Sequence, residues 1–117
     1  MKDSADLELL RIYIGEDQKH EGRPLYEAIV RHAHERGLVG AMVSRGFMGV
    51  WKYGPISTSR LLRLSEDLPI CIEIAGDQGQ VDAFRPRLEE MIKQGLVTLE
   101  KVRVVINRDD KEGVNRT

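Results

Sequence analysis

The chain has 117 residues, of which 18 are lysine or arginine and 19 are aspartate or glutamate, giving a formal net charge of −1. This length suits one domain, and the balanced charge gives no global attraction to nucleic acid or to an anionic membrane surface. The single cysteine, Cys71, excludes an internal disulfide and favours a reducing compartment. Because residues 1–6 are polar and no apolar run reaches the roughly 20 residues of a spanning helix, we expect a cytoplasmic protein without membrane insertion.

The first 37 residues predict a strand followed by a helix. In residues 7–14, alternate side chains from Leu10 onward are apolar, which is the period of a strand with one buried face. A polar turn follows, and Pro24 then suits the first turn of a helix, where its missing N–H costs nothing. Apolar residues recur at helical spacing until Gly37, a residue type that commonly ends a helix.

The middle of the chain predicts two further strands joined by a long loop. Residues 39–47 indicate a second strand. Glycine and proline then predict a loop from Met48 to Arg60. Residues 69–75 are rich in β-branched side chains, which indicates a central strand of the sheet.

A second helix and a final strand complete the pattern. Apolar residues recur at helical spacing from Val81, and Gly95 is the predicted C-terminal cap. Pro86 is expected to kink or restart this helix, because an interior proline removes a hydrogen bond and clashes one turn back. Residues 97–106 predict the final strand, and the charged residues 107–117 predict a flexible C-terminal tail.

The order strand–helix–strand, used twice, predicts an α+β domain of the ferredoxin-like βαββαβ type over residues 1–106. Right-handed crossovers place both helices on one face of a four-stranded antiparallel sheet. The other face must then meet water or another molecule. By alternation it is predicted to carry Leu7, Leu9, Arg11, Tyr13, Cys71, Glu73, Ala75, Val97, Leu99, Lys101, Arg103 and Val105.

This predicted open face mixes apolar with charged side chains, which favours a subunit interface with buried ion pairs. A solvated face with scattered apolar residues is the alternative. An RNA-recognition domain of this topology would stack bases on aromatic residues of its central strands. Because the face offers only one aromatic residue, we predict no nucleic-acid partner. The predicted interface residues are Leu9, Arg11, Tyr13, Cys71, Glu73 and Leu99.

Patterns for catalysis and metal binding are weak. His32 and His34 do not predict a metal site with His20, because residues two apart on a helix point about 200° apart. Cys71 within a core strand is a poor nucleophile. We therefore predict no catalytic residue, no metal ligand and a function other than catalysis.

Three segments carry a resemblance to a known family: AMVSRGFMG at 41–49, LRLSEDLPI at 62–70 and GLVTLEKV at 95–102. Over residues 7–106 the chain resembles the PII-like family of small bacterial and archaeal proteins catalogued as a domain of unknown function. That family is itself similar to the nitrogen-regulatory PII signalling proteins. The resemblance implies a homotrimer with ligand clefts between neighbouring subunits and a loop after the second strand that contacts a partner protein.

The resemblance also implies ligand-binding residues. Arg45, Gly46 and Gly49 match the loop base of PII proteins, where glycine admits a close approach and arginine binds phosphate through parallel hydrogen bonds. Lys101 and Arg103 of the final strand would point toward the cleft. The implied ligand is ATP, ADP, AMP or a cyclic nucleotide.

The same positions also have simpler interpretations. The glycines can merely bend the strand beside a solvated Arg45, and Arg103 can pair with Glu73. The turn from Lys93 to Leu96 is shorter than the glycine-rich turn of PII proteins, which favours a ligand-free module over a nucleotide sensor.

In the loop, Trp51, Lys52 and Tyr53 are the predicted partner-binding residues, because aromatic side chains dominate interface hot spots. The alternative is that Trp51 packs on a neighbouring subunit. Our leading hypothesis is a trimeric PII-like regulatory protein that binds a small ligand between subunits and a partner protein through residues 48–60. The alternatives are a ligand-free trimeric interaction module and, less favoured, an enzyme acting on a small phosphorylated substrate.

Overall fold

The computed structural model describes residues 6–46 and 68–109. Its elements are β1 (Leu7–Gly15), β2 (Lys19–His20), β3 (Arg23–Pro24), α1 (Leu25–Glu35), β4 (Gly40–Arg45), β5 (Pro69–Gly76), α2 (Gln78–Met91) and β6 (Leu96–Val102). One antiparallel sheet has the order β4-β5-β1-β6, and β2 and β3 form a separate short ladder. The predicted α+β ferredoxin-like fold is confirmed, as is the central position of β5.

Alternation in β1 and β5 sorts the side chains onto two faces of the sheet, as predicted. On the face that the helices cover, six residues are at most 2% exposed: Leu10, Ile12, Ile14, Ile70, Ile72 and Ile74. The helices contribute Leu25, Ile29, Ala33, Val81, Phe84, Leu88 and Met91 to the same core cluster. We call this side of the sheet the covered face and the other side the open face. Removal of apolar area from water, at roughly 25 cal/mol per Å², holds the helices on the covered face.

α1 begins and ends close to the predicted positions. Pro24 is its N-cap residue with an extended backbone, and the first helical residue is Leu25. Beyond the helix, the Gly37 N–H donates to the carbonyl of His34 over 3.1 Å. Gly37 has a φ of 72°, a conformation that favours glycine and turns the chain toward β4.

α2 begins with a capping box. The side chain of Asp77 accepts a hydrogen bond from the Gln80 N–H at 2.8 Å, and the Gln80 side-chain oxygen accepts one from the Asp77 N–H at 2.9 Å. The box satisfies two backbone donors that helix formation leaves without partners.

Two predictions about α2 need correction. The helix runs through Pro86 as one element, so the expected restart is wrong, because Phe84 and Leu88 bury the helix on either side of the proline. Gly95 is not the cap, since the helix ends at Met91 and its C-cap is Ile92, whose N–H donates to the Leu88 carbonyl at 3.2 Å. Gly95 has a φ of 154° and instead begins the approach to β6.

The register of β6 is the main correction to the fold. Leu99 lies opposite Leu10, and Thr98 lies opposite Arg11. Directly opposed residues of an antiparallel ladder share a face. The open face therefore carries Leu96, Thr98, Glu100 and Val102, whereas Val97, Leu99 and Lys101, predicted there, lie on the covered side. The strand also ends at Val102, so Arg103 and Val105 lie beyond it.

Several predictions fall outside the described residues. They include the loop from Met48 to Arg60 with Gly49, Trp51, Lys52 and Tyr53, and the tail from residue 110 onward. Residues 107–109 are described and have no regular secondary structure. Among the described residues, no helix combines the length and apolarity needed to cross a membrane.

Candidate functional site on the open face and at the loop base

An ion cluster lies at the centre of the open face. Arg11 on β1 lies opposite Glu73 on β5, with its Nε 3.1 Å from Glu73 Oε2. The Arg11 guanidinium also donates to a carboxylate oxygen of Glu100 on β6. The hydrogen bonds that Arg11 donates, first to Glu73 and then to Glu100, raise the pKa of Arg11. Two carboxylates against one guanidinium leave the cluster with an excess negative charge.

Apolar and weakly polar side chains flank the ion cluster. Leu9 lies opposite Ala75, and Tyr13 lies opposite Cys71 and makes a side-chain hydrogen bond to it. Burial, followed by the nearby Glu73 carboxylate, raises the pKa of the Cys71 thiol. The thiol therefore stays protonated at neutral pH and behaves as a small packing group.

Exposed apolar groups lie on the outer strands of the same face. Met42 of β4 shares the face with Glu73 and is 61% exposed, and Leu96 of β6 shares it with Tyr13 and is 43% exposed. A face with a charged cluster among apolar side chains matches the composition of protein interfaces. Met42 and Leu96 were absent from the predicted interface set, because no residue of β4 was assigned to a face and the predicted β6 register was one residue out.

The structure brings together most of the residues predicted for this face. Leu9, Arg11 and Tyr13 share it with their partners on β5, Cys71 and Glu73. Leu99 is not among them, because the β6 register turns it to the covered side, where it is 41% exposed. Within one chain Glu73 pairs with Arg11, so the predicted alternative of an Arg103–Glu73 pair stays a prediction only for a contact between subunits. Glu100 was missed because the predicted β6 register turned it away from Arg11.

The loop base is a corner at which β1, β4 and β5 meet. The Gly46 N–H donates to the Pro69 carbonyl at 2.8 Å, and the Glu16 N–H donates to the Leu68 carbonyl at 2.9 Å. Arg45, at the end of β4, has its Nη2 2.6 Å from Glu16 Oε2 and remains 58% exposed. Arg45 and Gly46 therefore adjoin segment 47–67, and the arginine is paired with Glu16 while most of its side chain stays in contact with solvent.

Lys101 and Arg103 do not lie near Arg45 within one protomer. Arg45 and Lys101 belong to the two outer strands, about 14 Å apart across the sheet at roughly 4.8 Å per strand. Along the strands, Arg45 aligns with Ile14 and Lys101 with Glu8, a further separation of about 20 Å. The predicted ligand residues therefore occupy diagonally opposite corners of the sheet.

The turn that precedes β6 lies at a third corner of the sheet, at the same end as Arg45 but on the opposite edge. Tyr13 pairs with Leu96, so residues 93–95 lie at the same end of the sheet as Arg45. One protomer thus supplies the loop base and the turn at one end, and the basic residues at the other end. The three groups are therefore not adjacent within one protomer.

Sequence comparison identifies the family. The model of the family DUF190, described as "Uncharacterized ACR", matches residues 7–104. A UPF0166 protein of Aquifex aeolicus is 39% identical over 99 residues, which cover 83% of this chain and 91% of the relative. The chain belongs to the DUF190 (UPF0166) family, and the resemblance seen in its sequence is confirmed.

Solved structures share the fold at low sequence identity. A putative PII-like signaling protein of Thermus thermophilus has a TM-score of 0.60 at 20% identity, covering 88% of this chain and 93% of that chain. The nitrogen regulatory PII-like protein CPII of Thiomonas intermedia, bound to ADP and bicarbonate, has a TM-score of 0.56 at 20% identity. That match covers 86% of this chain and 89% of CPII. The fold is therefore PII-like.

Proposed function

We propose that this chain is a non-enzymatic, PII-like regulatory protein in the cytoplasm. It assembles as a homotrimer, binds a small ligand between subunits and contacts a partner protein through residues 48–60. The observation that carries the proposal is the open face, where the helices leave uncovered an ion cluster set among apolar side chains. Membership of the DUF190 family and the PII-like fold support a role as a PII-like regulator.

The composition of the open face supports assembly. A second copy packed there would remove Leu9, Met42 and Leu96 from water and would enclose the Arg11 ion cluster. The outer strands β4 and β6 differ, so copies in which β4 of one meets β6 of the next associate head to tail. Head-to-tail association closes into a ring when the rotation between copies permits it.

The diagonal placement of the predicted ligand residues supports a cleft between copies. In a ring, the end of β6 in one copy can approach the loop base of the next. Lys101 and Arg103 then supply cations, and Arg45 can bind an oxyanion through parallel hydrogen bonds once it leaves Glu16. The CPII structure makes ADP the first ligand to test.

A ligand-free trimeric interaction module is the second candidate function. It is favoured by the Arg45–Glu16 ion pair, because a nucleotide must displace a carboxylate that already satisfies the arginine. The short turn at residues 93–95 favours it too, since few backbone groups are available there to hold phosphate.

The assembly is tested by measuring the mass of the purified protein by light scattering. Leu9→Asp places a charge in the proposed interface and should convert trimers into folded monomers, because an unpaired buried charge is strongly unfavourable. Ala83→Asp, on the exposed surface of α2, is the control and should leave the mass unchanged. A Leu9→Asp variant with native mass and stability would exclude the open face as the interface.

Ligand binding is tested by thermal unfolding with ATP, ADP, AMP and cyclic dinucleotides, since binding to the native state raises stability by mass action. A saturable increase that Arg45→Ala abolishes and Arg85→Ala preserves would support the sensor. An unchanged unfolding temperature with every nucleotide, in protein shown to be trimeric, would support the ligand-free module.

A further inference from the structure

We propose a second binding site on the helix side of the molecule, for a small molecule that carries both an oxyanion and a hydroxyl or amino donor. A cavity of about 400 Å³ opens there between the β2–β3 ladder, α1 and α2. Its volume falls within the range of small-molecule sites, roughly 300–1,000 Å³. Because it lies across the helix layer from the open face, this site does not depend on trimer formation.

Arginines from three elements face this cavity. They are Arg23 of β3, Arg31 of α1 and Arg87 of α2. Arg87 is held in place, since Nη1 lies 3.2 Å from Glu90 Oε1 and Nη2 lies 3.3 Å from His20 Nε2. In the described structure, the guanidinium groups of Arg23 and Arg31 form no hydrogen bond or ion pair. Two unpaired guanidiniums beside one concave space suit an oxyanion, which each can bind through parallel N–H groups.

Acidic residues in the lining narrow the class of ligand. Glu27 and Glu35 lie one helical turn before and after Arg31, and Glu21 lies on the β2–β3 connection. Three carboxylates balance the three guanidiniums, so the cavity has no excess positive charge with which to attract a polyanion. The carboxylates instead accept hydrogen bonds from hydroxyl or amino groups, which favours a small ligand with both kinds of group.

His32 adds a buried hydrogen-bond acceptor to the cavity wall. Its ring stacks on Phe84, with centroids 4.8 Å apart and an interplanar angle of 21°. Burial and then the positive charge of Arg36 lower the pKa of His32, which keeps the imidazole neutral at pH 7. The ring donates a hydrogen bond to the Phe84 backbone, while its Nε2 is buried and has no partner in the described structure. A neutral ring that donates through Nδ1 has an acceptor at Nε2, and a ligand donor there would satisfy a group that is otherwise costly to bury.

Three probes test the site by calorimetry and by NMR of the His32 imidazole nitrogens. Ribose 5-phosphate combines phosphate with hydroxyl groups, citrate combines carboxylates with a hydroxyl group, and inorganic phosphate supplies the anion with few additional groups. We expect saturable binding with a change in the His32 Nε2 resonance. At least one hydroxylated probe should bind about tenfold more tightly than phosphate, the effect of roughly one additional hydrogen bond at 1.4 kcal/mol. Tighter binding of ribose 5-phosphate would identify the oxyanion as a phosphate, and tighter binding of citrate would identify it as a carboxylate.

Matched arginine variants locate the binding. Arg31→Gln should weaken it about tenfold or more, because it removes a charge-assisted hydrogen bond. Arg85→Gln, on the α2 surface outside this cavity, should leave affinity unchanged. Both arginines are exposed, and circular dichroism establishes that each variant folds. Any ADP binding between subunits should be unaffected by Arg31→Gln, which distinguishes this site from the proposed cleft.

The proposal is overturned if none of the three probes produces a saturable change at His32. It is equally overturned if Arg31→Gln and Arg85→Gln weaken binding by the same factor, because the binding would then reflect general surface charge.

Discussion

The two faces of the sheet are built from the same strands but differ in what they can contact. On the covered face, the apolar residues of β1 and β5 are almost completely buried: Leu10, Ile12, Ile14, Ile70, Ile72 and Ile74. On the open face, Arg11 and its two carboxylate partners remain one-third to one-half exposed among apolar neighbours. Alternation therefore identifies the core face, whereas the composition of the opposite face indicates whether that face meets water or protein.

The strongest test of this comparison uses two adjacent residues on opposite faces. Ile72→Ala should destabilise the fold by about 2–5 kcal/mol, because it leaves a cavity in the core beside Ile12 and Val43. Cys71→Ala should cost about 1 kcal/mol or less in dilute protein, since it removes one partly exposed atom. Urea unfolding measures both changes. Equal losses of stability in the two variants would contradict the difference between the two faces. A loss of stability in Cys71→Ala that grows with protein concentration would indicate that assembly covers the open face.

A second test concerns the turn that leads from the helix layer into β6. Gly95→Ala should cost about 1–3 kcal/mol, because φ is 154° and a Cβ atom would lie 2.7 Å from the Tyr13 carbonyl oxygen. Gly40→Ala is the matched control, since the described structure has nothing within 4 Å of a Cβ atom at that position. Thermal unfolding compares the two variants. Similar stabilities would show that Gly95 does not fix the path of the chain past the end of β1.

A smaller effect is expected when the N-terminal cap of α2 is removed. Asp77→Ala removes half of the capping box and should cost about 1 kcal/mol of folding stability. Asp82→Ala, at an exposed position within the same helix, should change stability by about 0.5 kcal/mol or less. Chemical unfolding of both variants provides the comparison, and equal effects would argue against a role for the cap.

The smallest expected effect is a pH dependence of folding stability that arises from His32 of α1. Burial lowers its pKa in the folded state below the ordinary value of about 6.5. As the pH falls through that value toward the folded pKa, the unfolded chain binds more protons than the folded chain, so stability decreases. His32→Gln should therefore lose less stability than the native protein between about pH 7.5 and about pH 5.5. Unfolding curves at both pH values measure the difference, and equal losses would show that His32 does not contribute.

The sequence predicted the elements whose periodicity has one clear buried side. β1 and β5 alternate cleanly, and the apolar stripes of α1 and α2 recur at helical spacing, so each had one consistent orientation. In β6, the two possible faces are Leu96, Thr98, Glu100 and Val102 or Val97, Leu99, Lys101 and Arg103. Both contain apolar and charged side chains, and an edge strand with exposed residues on both faces does not distinguish them.

The candidate site was predictable to the same extent. Arg11 and Glu73 were placed together because both lie on strands with an unambiguous register. Their third partner, Glu100, depended on the register of β6 and was missed. The Arg45–Glu16 ion pair joins the end of one strand to a turn after another, and no local pattern encodes such a contact.

The hydrogen bond at the loop base has a consequence for the chain that joins β4 to β5. Gly46 and Pro69 are hydrogen-bonded neighbours, so the sheet itself brings together the ends of the intervening chain. The entropy of closing a flexible chain grows only with the logarithm of its length, and a doubling costs roughly 0.6 kcal/mol. The sheet therefore fixes the distance between these two strand ends, whatever the length of the chain that joins them.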